Sequence, residues 1–201
     1  NKMKINSKNI IIHSKKLLHK SIFEVFETKF KFKKINNTWS DDITHYTVEK
    51  GPAVAILVYN TTTEEIILVK QLRTATGKYS IEIPAGIMDP GETPEMSAIR
   101  ELNEEVGYAV KQLSPVYSFY TTPGIFNELI HFFYAEVDSS MKVSEGGGIA
   151  NENEDIEVIR VKAVELKEWM QQQKGLDSKT ILALQHFQLI QNQNKSIGIE
   201  P

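Results

Sequence analysis

Three glutamates, Glu101, Glu104 and Glu105, are the residues of this 201-residue chain whose types and spacing most directly indicate chemistry. They fall at i, i+3 and i+4, so in a helix their carboxylates share one side, with Cβ atoms about 5–6 Å apart. Like charges at this spacing destabilise a helix by roughly 0.2–0.5 kcal/mol per pair. A divalent cation would reverse that repulsion, and oxygen ligands favour Mg²⁺ or Mn²⁺ over zinc. A solvated acidic surface is the alternative explanation of the three glutamates taken alone.

The segment Pro94–Val106 is predicted to form the helix that carries these glutamates. Thr93 can cap its first turn, and Pro94 suits the first helical position. Gly107 stands where a left-handed residue commonly ends a helix. An apolar stripe that would face the core is formed by Ile99, Leu102 and Val106.

The sequence around the helix resembles the Nudix box, G-x5-E-x7-R-E-U-x-E-E-x-G-U, where U is a bulky apolar residue. From Gly86 to Gly107 every fixed glycine, glutamate and arginine is in register, and Leu102 fills the first U. Tyr108 fills the last U, where an aliphatic residue is commoner, and we expect it to affect only packing behind the helix. The likeness spans roughly residues 45–190. It implies the Nudix α/β/α sandwich, with a mixed sheet between helices.

The resemblance also implies a role for each box residue. Glu101 and Glu105 are expected to be the principal metal ligands, with Glu105 also counted as catalytic. Glu104 is expected to bind a further ion, and the backbone carbonyl of Ala85 to join the metal shell. Mg²⁺ is the expected cofactor, with Mn²⁺ possible. Structural roles are expected of the other box positions, namely an ion pair between Glu92 and Arg100, close backbone approach at Gly86 and the helix end at Gly107.

Features outside the box indicate the substrate. The loop that contains Pro123 is similar to the corresponding loop of ADP-ribose pyrophosphatases and their nucleotide-sugar relatives. The candidate substrate contacts in this loop are Pro123, Gly124 and Glu128. The usual second glycine of that loop is replaced by isoleucine here, and an ordinary turn is the alternative interpretation. Arg73 resembles the arginine that contacts the diphosphate in related hydrolases, and its planar guanidinium suits phosphate oxygens. Taken alone, such an arginine is more often a surface charge.

The segment between Ser139 and Glu154 is long, glycine-rich and acidic, as functional loops often are. It resembles the mobile acidic loop of the same families, which makes Glu152 the candidate general base and Glu154 a further metal ligand. Asp155 is an alternative base, and a solvated loop is the alternative without function. A loop hinged at glycines can carry a carboxylate to the diphosphate once the substrate is bound.

Together these features predict metal-dependent hydrolysis of the diphosphate bond of a nucleoside diphosphate sugar. ADP-ribose, giving AMP and ribose 5-phosphate, is the first expectation, and GDP-mannose or another nucleotide sugar is the alternative. A nucleoside triphosphate pyrophosphohydrolase is one rival. A binding module that does not cleave its ligand is another, although such members usually lose box glutamates and this chain keeps all of them.

Composition narrows the remaining classes of function. The chain has no cysteine, which excludes disulfides, thiolate zinc sites and cysteine nucleophiles, and its five histidines show no metal-ligand spacing. A net charge of −3 gives no indication of a nucleic-acid or membrane partner. No signal sequence or membrane span is recognisable, so the protein is expected in the cytoplasm.

The other elements are expected to hold the box in an α/β fold. Residues 1–45 are predicted to form a small N-terminal β region through which the protein forms a homodimer, and residues 46–201 the Nudix domain. Aromatic residues of the N-terminal region would pack at the interface or stack on a nucleobase, and a hairpin is predicted to turn near Asn36. Strands are predicted at 53–59, 66–71, 80–83, 116–120, 129–137 and 156–161, and helices at 164–172 and 178–191.

Overall fold

The computed structural model describes residues 6–149 and 154–196. The chain divides into two compact units, one formed by Asn1–Gly51 with Tyr120–Leu129 and the other by Pro52–Phe119 with Ile130–Pro201. All the box residues belong to the second unit. Within the described residues, no helix has the length and apolarity needed to cross a membrane.

The first unit contains an antiparallel sheet of four strands in the order β1-β2-β3-β4. Their bounds are Asn6–Ser7 (β1), Ile10–Lys20 (β2), Glu24–Phe32 (β3) and Ile43–Glu49 (β4). The predicted hairpin is β3 with β4. The long strand β2 was not predicted, and its register against β3 shifts twice, between Ile12 and Ser14 and between Leu17 and His19. Such β-bulges interrupt the alternation by which a strand is recognised in a sequence.

Cross-strand pairs divide the side chains of this sheet between two faces, because directly paired residues point to the same side. One side, the aromatic face, is formed by Ile10, Ile12, Leu17, Phe26, Phe30, Phe32 and Ile43. The opposite side, the lysine face, carries Lys16, Lys29, Lys31, Lys33, Trp39 and Tyr46. The aromatic face also carries Lys15 and Lys20, and the lysine face also carries Ile11 and Val25, so the two faces differ in which type of residue predominates.

The second unit is built on a mixed sheet of seven strands. Five strands follow the order β11-β6-β5-β10-β9, while β7 pairs with β6 and β8 pairs with β5. Strand β10 runs parallel to β5, whereas β6 and β8 run antiparallel to it. The bounds are Ala53–Asn60 (β5), Glu65–Arg73 (β6), Lys78–Glu82 (β7), Ala85–Ile87 (β8), Ser114–Tyr120 (β9), Leu129–Val137 (β10) and Glu157–Lys162 (β11).

Among the residues that the structure describes, three helices cover the two faces of this sheet: Pro94–Val106 (α1), Leu166–Gln172 (α2) and Ser178–Ser196 (α3). Short 3-10 turns lie at Ser139–Met141 and Ala163–Glu165. All eight residues of β5 are buried. Its even-numbered apolar residues join a core with Leu102 and Val106 of α1, and its odd-numbered ones join a core with Leu184 and Phe187 of α3. The predicted α/β/α sandwich is confirmed.

Candidate functional site

Helix α1 begins and ends where the sequence predicts. The Thr93 hydroxyl accepts a hydrogen bond from the Met96 N–H at 3.2 Å. Gly107 has a left-handed backbone, with φ of 78°, and its N–H donates to the Asn103 carbonyl. The buried side of the helix includes Glu101 and Glu105 as well as apolar residues. The fold therefore turns two of the three carboxylates that the box places on the helix away from solvent.

These two carboxylates are largely removed from water. Glu105 is 2% exposed and Glu101 is 7% exposed. Burial, with repulsion from Glu101 and Glu154, raises the pKa of Glu105 to about 8. Burial also raises the pKa of Glu101 to about 7, although Arg100 opposes that rise. The raised pKa values make the charged forms of these carboxylates costly, and an added cation would favour those charged forms.

Strand β8 brings the backbone before the helix against these carboxylates. The Ala85 N–H donates to Oε2 of Glu105 at 2.9 Å. A Cβ atom placed on Gly86 would lie 1.9 Å from Oε1 of Glu101 and 2.1 Å from its Cδ atom. The space that a side chain would fill at Gly86 is thus the space taken by the Glu101 carboxylate, so a larger residue there would displace that carboxylate.

Arg100 is the counter-ion of three box glutamates. Its Nε and Nη2 atoms donate to the two oxygens of Glu92 at 2.9 and 3.1 Å. Its Nη1 atom donates to Glu101 at 2.7 Å and to Glu104 at 3.0 Å. Hydrogen bonding from Arg100 lowers the pKa of Glu92 to about 2. Nη2 also donates to the Ile87 carbonyl, so one guanidinium fastens the preceding loop to the helix.

Across the described residues, no three histidine or carboxylate side chains are arranged as a preformed metal cage. The Arg100 guanidinium holds Glu101 and Glu104, and the Ala85 N–H holds Glu105. The residues nevertheless fit a hard divalent cation. They offer only oxygen ligands, two of the carboxylates are buried, and among the described residues the Glu105 carboxylate has a backbone N–H and no ion pair as its partner.

The glycine run Gly146–Gly148 is packed against the end of α1. The N–H groups of Gly147 and Gly148 donate to the carbonyls of Glu105 and Glu104 at 2.9 and 3.0 Å. A Cβ on Gly146 would lie 2.4 Å from the Glu105 carbonyl oxygen. These glycines are therefore fixed to the helix, and a hinge of the acidic loop would have to follow Gly148.

Beyond that run the acidic loop returns to the site. Glu154 accepts a hydrogen bond from the Ile149 N–H at 3.0 Å, and its charge contributes to the raised pKa values of Glu101 and Glu105. The fold thus brings Glu154 close to the two buried box carboxylates. Asp155 is exposed. Glu152, the candidate base, lies outside the described residues.

Arg73 belongs to a buried ionic network that the sequence did not predict. Its Nε and Nη2 atoms donate to the two oxygens of Glu82 at 2.8 and 2.7 Å, and Lys179 of α3 binds the same carboxylate. Burial alone would raise the pKa of Glu82, but the hydrogen bonds from Arg73 and Lys179 lower it to about 2. The edge of Arg73 best suited to a phosphate is therefore occupied, which leaves Nη1 for a substrate. One signal was available: Glu82 interrupts an otherwise apolar stretch from Ile81 to Ile83.

The other candidate substrate contacts lie in the first unit. Thr122 accepts backbone hydrogen bonds from Ile125 and Phe126, which closes a turn around Gly124. Glu128 forms an ion pair with Lys50 at 3.5 Å. A contact of Pro123, Gly124 or Glu128 with substrate stays a prediction.

Tyr108, the departure from the box pattern, is 3% exposed and packs in the core beneath α1. Its hydroxyl accepts a hydrogen bond from Nδ2 of Asn60 at 3.0 Å. The buried polar atom is thereby satisfied, so an aromatic residue is accommodated without disturbing the carboxylates on the helix.

Comparison with known proteins agrees with this geometry. The model of the NUDIX domain matches residues 49–183. The chain is 40% identical to a GDP-mannose pyrophosphatase of Cronobacter sakazakii, over 70% of this chain and 75% of that protein. It is 37% identical to an ADP-ribose pyrophosphatase of Bacillus subtilis, over 71% of this chain and 75% of that protein.

Among solved structures, an ADP compounds hydrolase superposes with a TM-score of 0.72 at 19% identity, over 97% of this chain and 99% of that one. At that identity the likeness concerns the fold. The family match covers the strand β5 core, the box helix and most of the second unit, and the box residues occupy one site. The chain belongs to the NUDIX family.

Proposed function

We propose that this chain hydrolyses the diphosphate bridge of nucleoside diphosphate sugars with the help of Mg²⁺, or of Mn²⁺ in its place. The observation that carries the proposal is the pair of buried carboxylates, Glu101 and Glu105, whose burial raises the pKa of each towards or above neutrality. Burying two such groups side by side costs stability unless a cation joins them. The names of the two curated relatives supply the substrate class.

Glu101, Glu105 and Glu154, with Glu104 and the Ala85 carbonyl, would hold the cation. When bound, such an ion polarises phosphate oxygens and stabilises the charge that develops on the departing phosphate. Arg100 would then keep Glu92 and the box loop in place. Arg73 would offer its Nη1 atom to a phosphate oxygen while Glu82 fixes the rest of the guanidinium.

Water attacks one phosphorus of the bridge in line with the leaving phosphate oxygen, and the phosphorus–oxygen bond opposite the water breaks. Glu152 accepts the proton of that water, a role that rests on the resemblance of its loop to related hydrolases. With ADP-ribose the products are AMP and ribose 5-phosphate. With GDP-mannose, the alternative that the name of the Cronobacter sakazakii relative supports, they are GMP and mannose 1-phosphate.

A panel of nucleotide sugars incubated with Mg²⁺ or Mn²⁺, with products separated by chromatography, tests the function and the substrate together. We expect nucleoside monophosphate and sugar phosphate to appear from ADP-ribose first. Glu105→Gln is the matched control, since it removes one charge and keeps the size of the side chain. Binding of ADP-ribose without AMP release would instead indicate a sensor, and pyrophosphate released from triphosphates would indicate the other rival.

The general base has its own test. Glu152→Gln is expected to lower turnover at least about a hundredfold, as loss of a general base does, while metal affinity stays near that of the wild type. If metal affinity falls in parallel with turnover, Glu152 is a ligand and the base must be sought at Asp155.

We also propose that the protein is a homodimer that packs through the aromatic face of the first unit. Phe32 and Leu17 on that face are 40% and 45% exposed, and apolar groups left in water favour association. Light scattering after gel filtration should give twice the mass of the 22.9 kDa chain. Phe32→Asp is expected to give a monomer, and a monomeric wild type would refute this arrangement.

A further inference from the structure

The net charge of −3 conceals a strong separation of charge along the chain. Residues 1–34 contain ten lysines and only two acidic residues, whereas the other 167 residues contain 13 basic and 24 acidic ones. The described part of this segment, residues 6–34, contains β1, β2 and β3 of the first unit. The total charge therefore does not describe the charge of this surface.

The folded sheet places four of these ten lysines on one side. Lys29, Lys31 and Lys33 lie two positions apart along the chain, and alternate residues of a strand point to the same side. Their ammonium groups therefore lie on one face of the sheet at intervals of about 6–7 Å. Lys16 joins them from β2, opposite Glu27. Ion pairs in the described part of the chain involve Lys15, Lys20 and Lys50 of this unit, but none of the four lysines of the lysine face. Their charge is therefore available to a ligand.

Exposed aromatic rings stand among these lysines. Trp39 pairs with Lys33 and is 39% exposed, and its ring lies 5.7 Å from Nζ of Lys31. Tyr46, opposite Glu27 on β4, is 58% exposed. Glu27 is the one carboxylate that the pairing of β2, β3 and β4 places among them, and it accepts a hydrogen bond from the Tyr46 hydroxyl at 3.1 Å.

We infer that the lysine face binds single-stranded nucleic acid. Regularly spaced ammonium groups match successive backbone phosphates, and flat rings on an antiparallel sheet offer platforms on which unpaired bases stack. An anionic membrane surface would use the same lysines, so binding to vesicles is the competing outcome of the test. The aromatic face lies on the other side of the sheet, so this surface stays available when that face is covered.

Fluorescence anisotropy with a labelled single-stranded oligonucleotide of twenty thymidines tests the inference on the full-length protein. The substitutions Lys29→Gln, Lys31→Gln and Lys33→Gln are combined in one variant. It should bind at least about tenfold more weakly at low salt, with the slope of log affinity against log salt reduced by about 2, since each single-strand phosphate contact contributes about 0.7. Trp39→Ala should lower the affinity for the oligonucleotide by about five- to a hundredfold, because it removes a stacking platform and no charge.

The matched control removes the same charge elsewhere. Lys111, Lys167 and Lys174 of the second unit are exposed, and Lys111→Gln, Lys167→Gln and Lys174→Gln together should bind like the wild type. Circular dichroism establishes that each variant is folded. Absence of binding at low salt, an equal loss in the control variant, or unchanged affinity in Trp39→Ala would overturn the inference. So would binding to phosphatidylserine vesicles that depends on the same lysines without binding to the oligonucleotide.

Discussion

Gly86→Ala is expected to disable the site although every carboxylate remains in the chain. The added Cβ would lie 1.9 Å from Oε1 of Glu101, whereas ordinary contact begins at 3.4 Å. The difference requires the carboxylate to retreat by about 1.5 Å. Metal–ligand distances vary by only about 0.2 Å, and a misplacement of about 1 Å can lower a rate about a hundredfold. We therefore expect kcat/KM to fall by at least about a hundredfold.

Binding of Mn²⁺, followed by calorimetry and by electron paramagnetic resonance, separates a displaced ligand from an unfolded protein. Affinity should fall at least about tenfold in Gly86→Ala, while the melting temperature stays within a few degrees because the atoms that must move end a flexible side chain. Gly124→Ala is the matched control for metal binding. Gly124 also lacks a left-handed backbone, and a Cβ there meets nothing within 4 Å.

A second substitution makes the cause testable. Glu101→Asp shortens the side chain by one methylene, so the double variant with Gly86→Ala should regain part of the metal affinity that Gly86→Ala loses. Wild-type metal affinity in a folded Gly86→Ala protein would refute the placement of Glu101 beside the ion. Loss of affinity with no recovery in the double variant would refute the steric explanation.

Three further predictions concern stability. Because the pKa of Glu105 is raised in the fold, metal-free protein should lose stability progressively as pH rises from about 4.5 to about 8. In thermal melts with a chelator, Glu105→Gln should make the melting temperature depend less on pH over that range. Glu82 has a lowered pKa, so its contribution to stability is present above pH 4.5 and is lost as pH falls towards 2. Glu82→Gln should lower the free energy of unfolding in urea by about 3–5 kcal/mol, whereas the exposed Glu157→Gln should lower it by less than about 1 kcal/mol. Tyr108→Phe leaves Nδ2 of Asn60 without its partner and should cost about 1–3 kcal/mol in the same assay, without change in kcat.

The elements that the sequence predicts well are those determined by local chemistry. Helix α1 has a cap at Thr93, proline at its first position and glycine after its last, and its observed bounds are the predicted ones. Strand β5 is a run of apolar residues, and it is buried on both faces. The shared side of the box glutamates follows from helical geometry alone.

The features that the sequence does not predict depend on contacts between distant segments. Glu82 and Lys179 lie 97 residues apart and meet only because α3 packs on the strand that carries Glu82. The three-residue strand β8 contains glycine and has little strand propensity, and it exists through pairing with β5. Strand β2 escaped prediction because its two bulges break the alternation of apolar and polar residues.

The attachment of Gly146–Gly148 to the last turn of α1 has a practical consequence for protein engineering. Since the Glu104 and Glu105 carbonyls are bonded by Gly148 and Gly147, a segment transplanted from a relative to change selectivity should keep this chain through Gly148 and begin at residue 149. A graft that began earlier would remove the glycines that seal the helix end, and it would impair chemistry for reasons unrelated to recognition of the sugar.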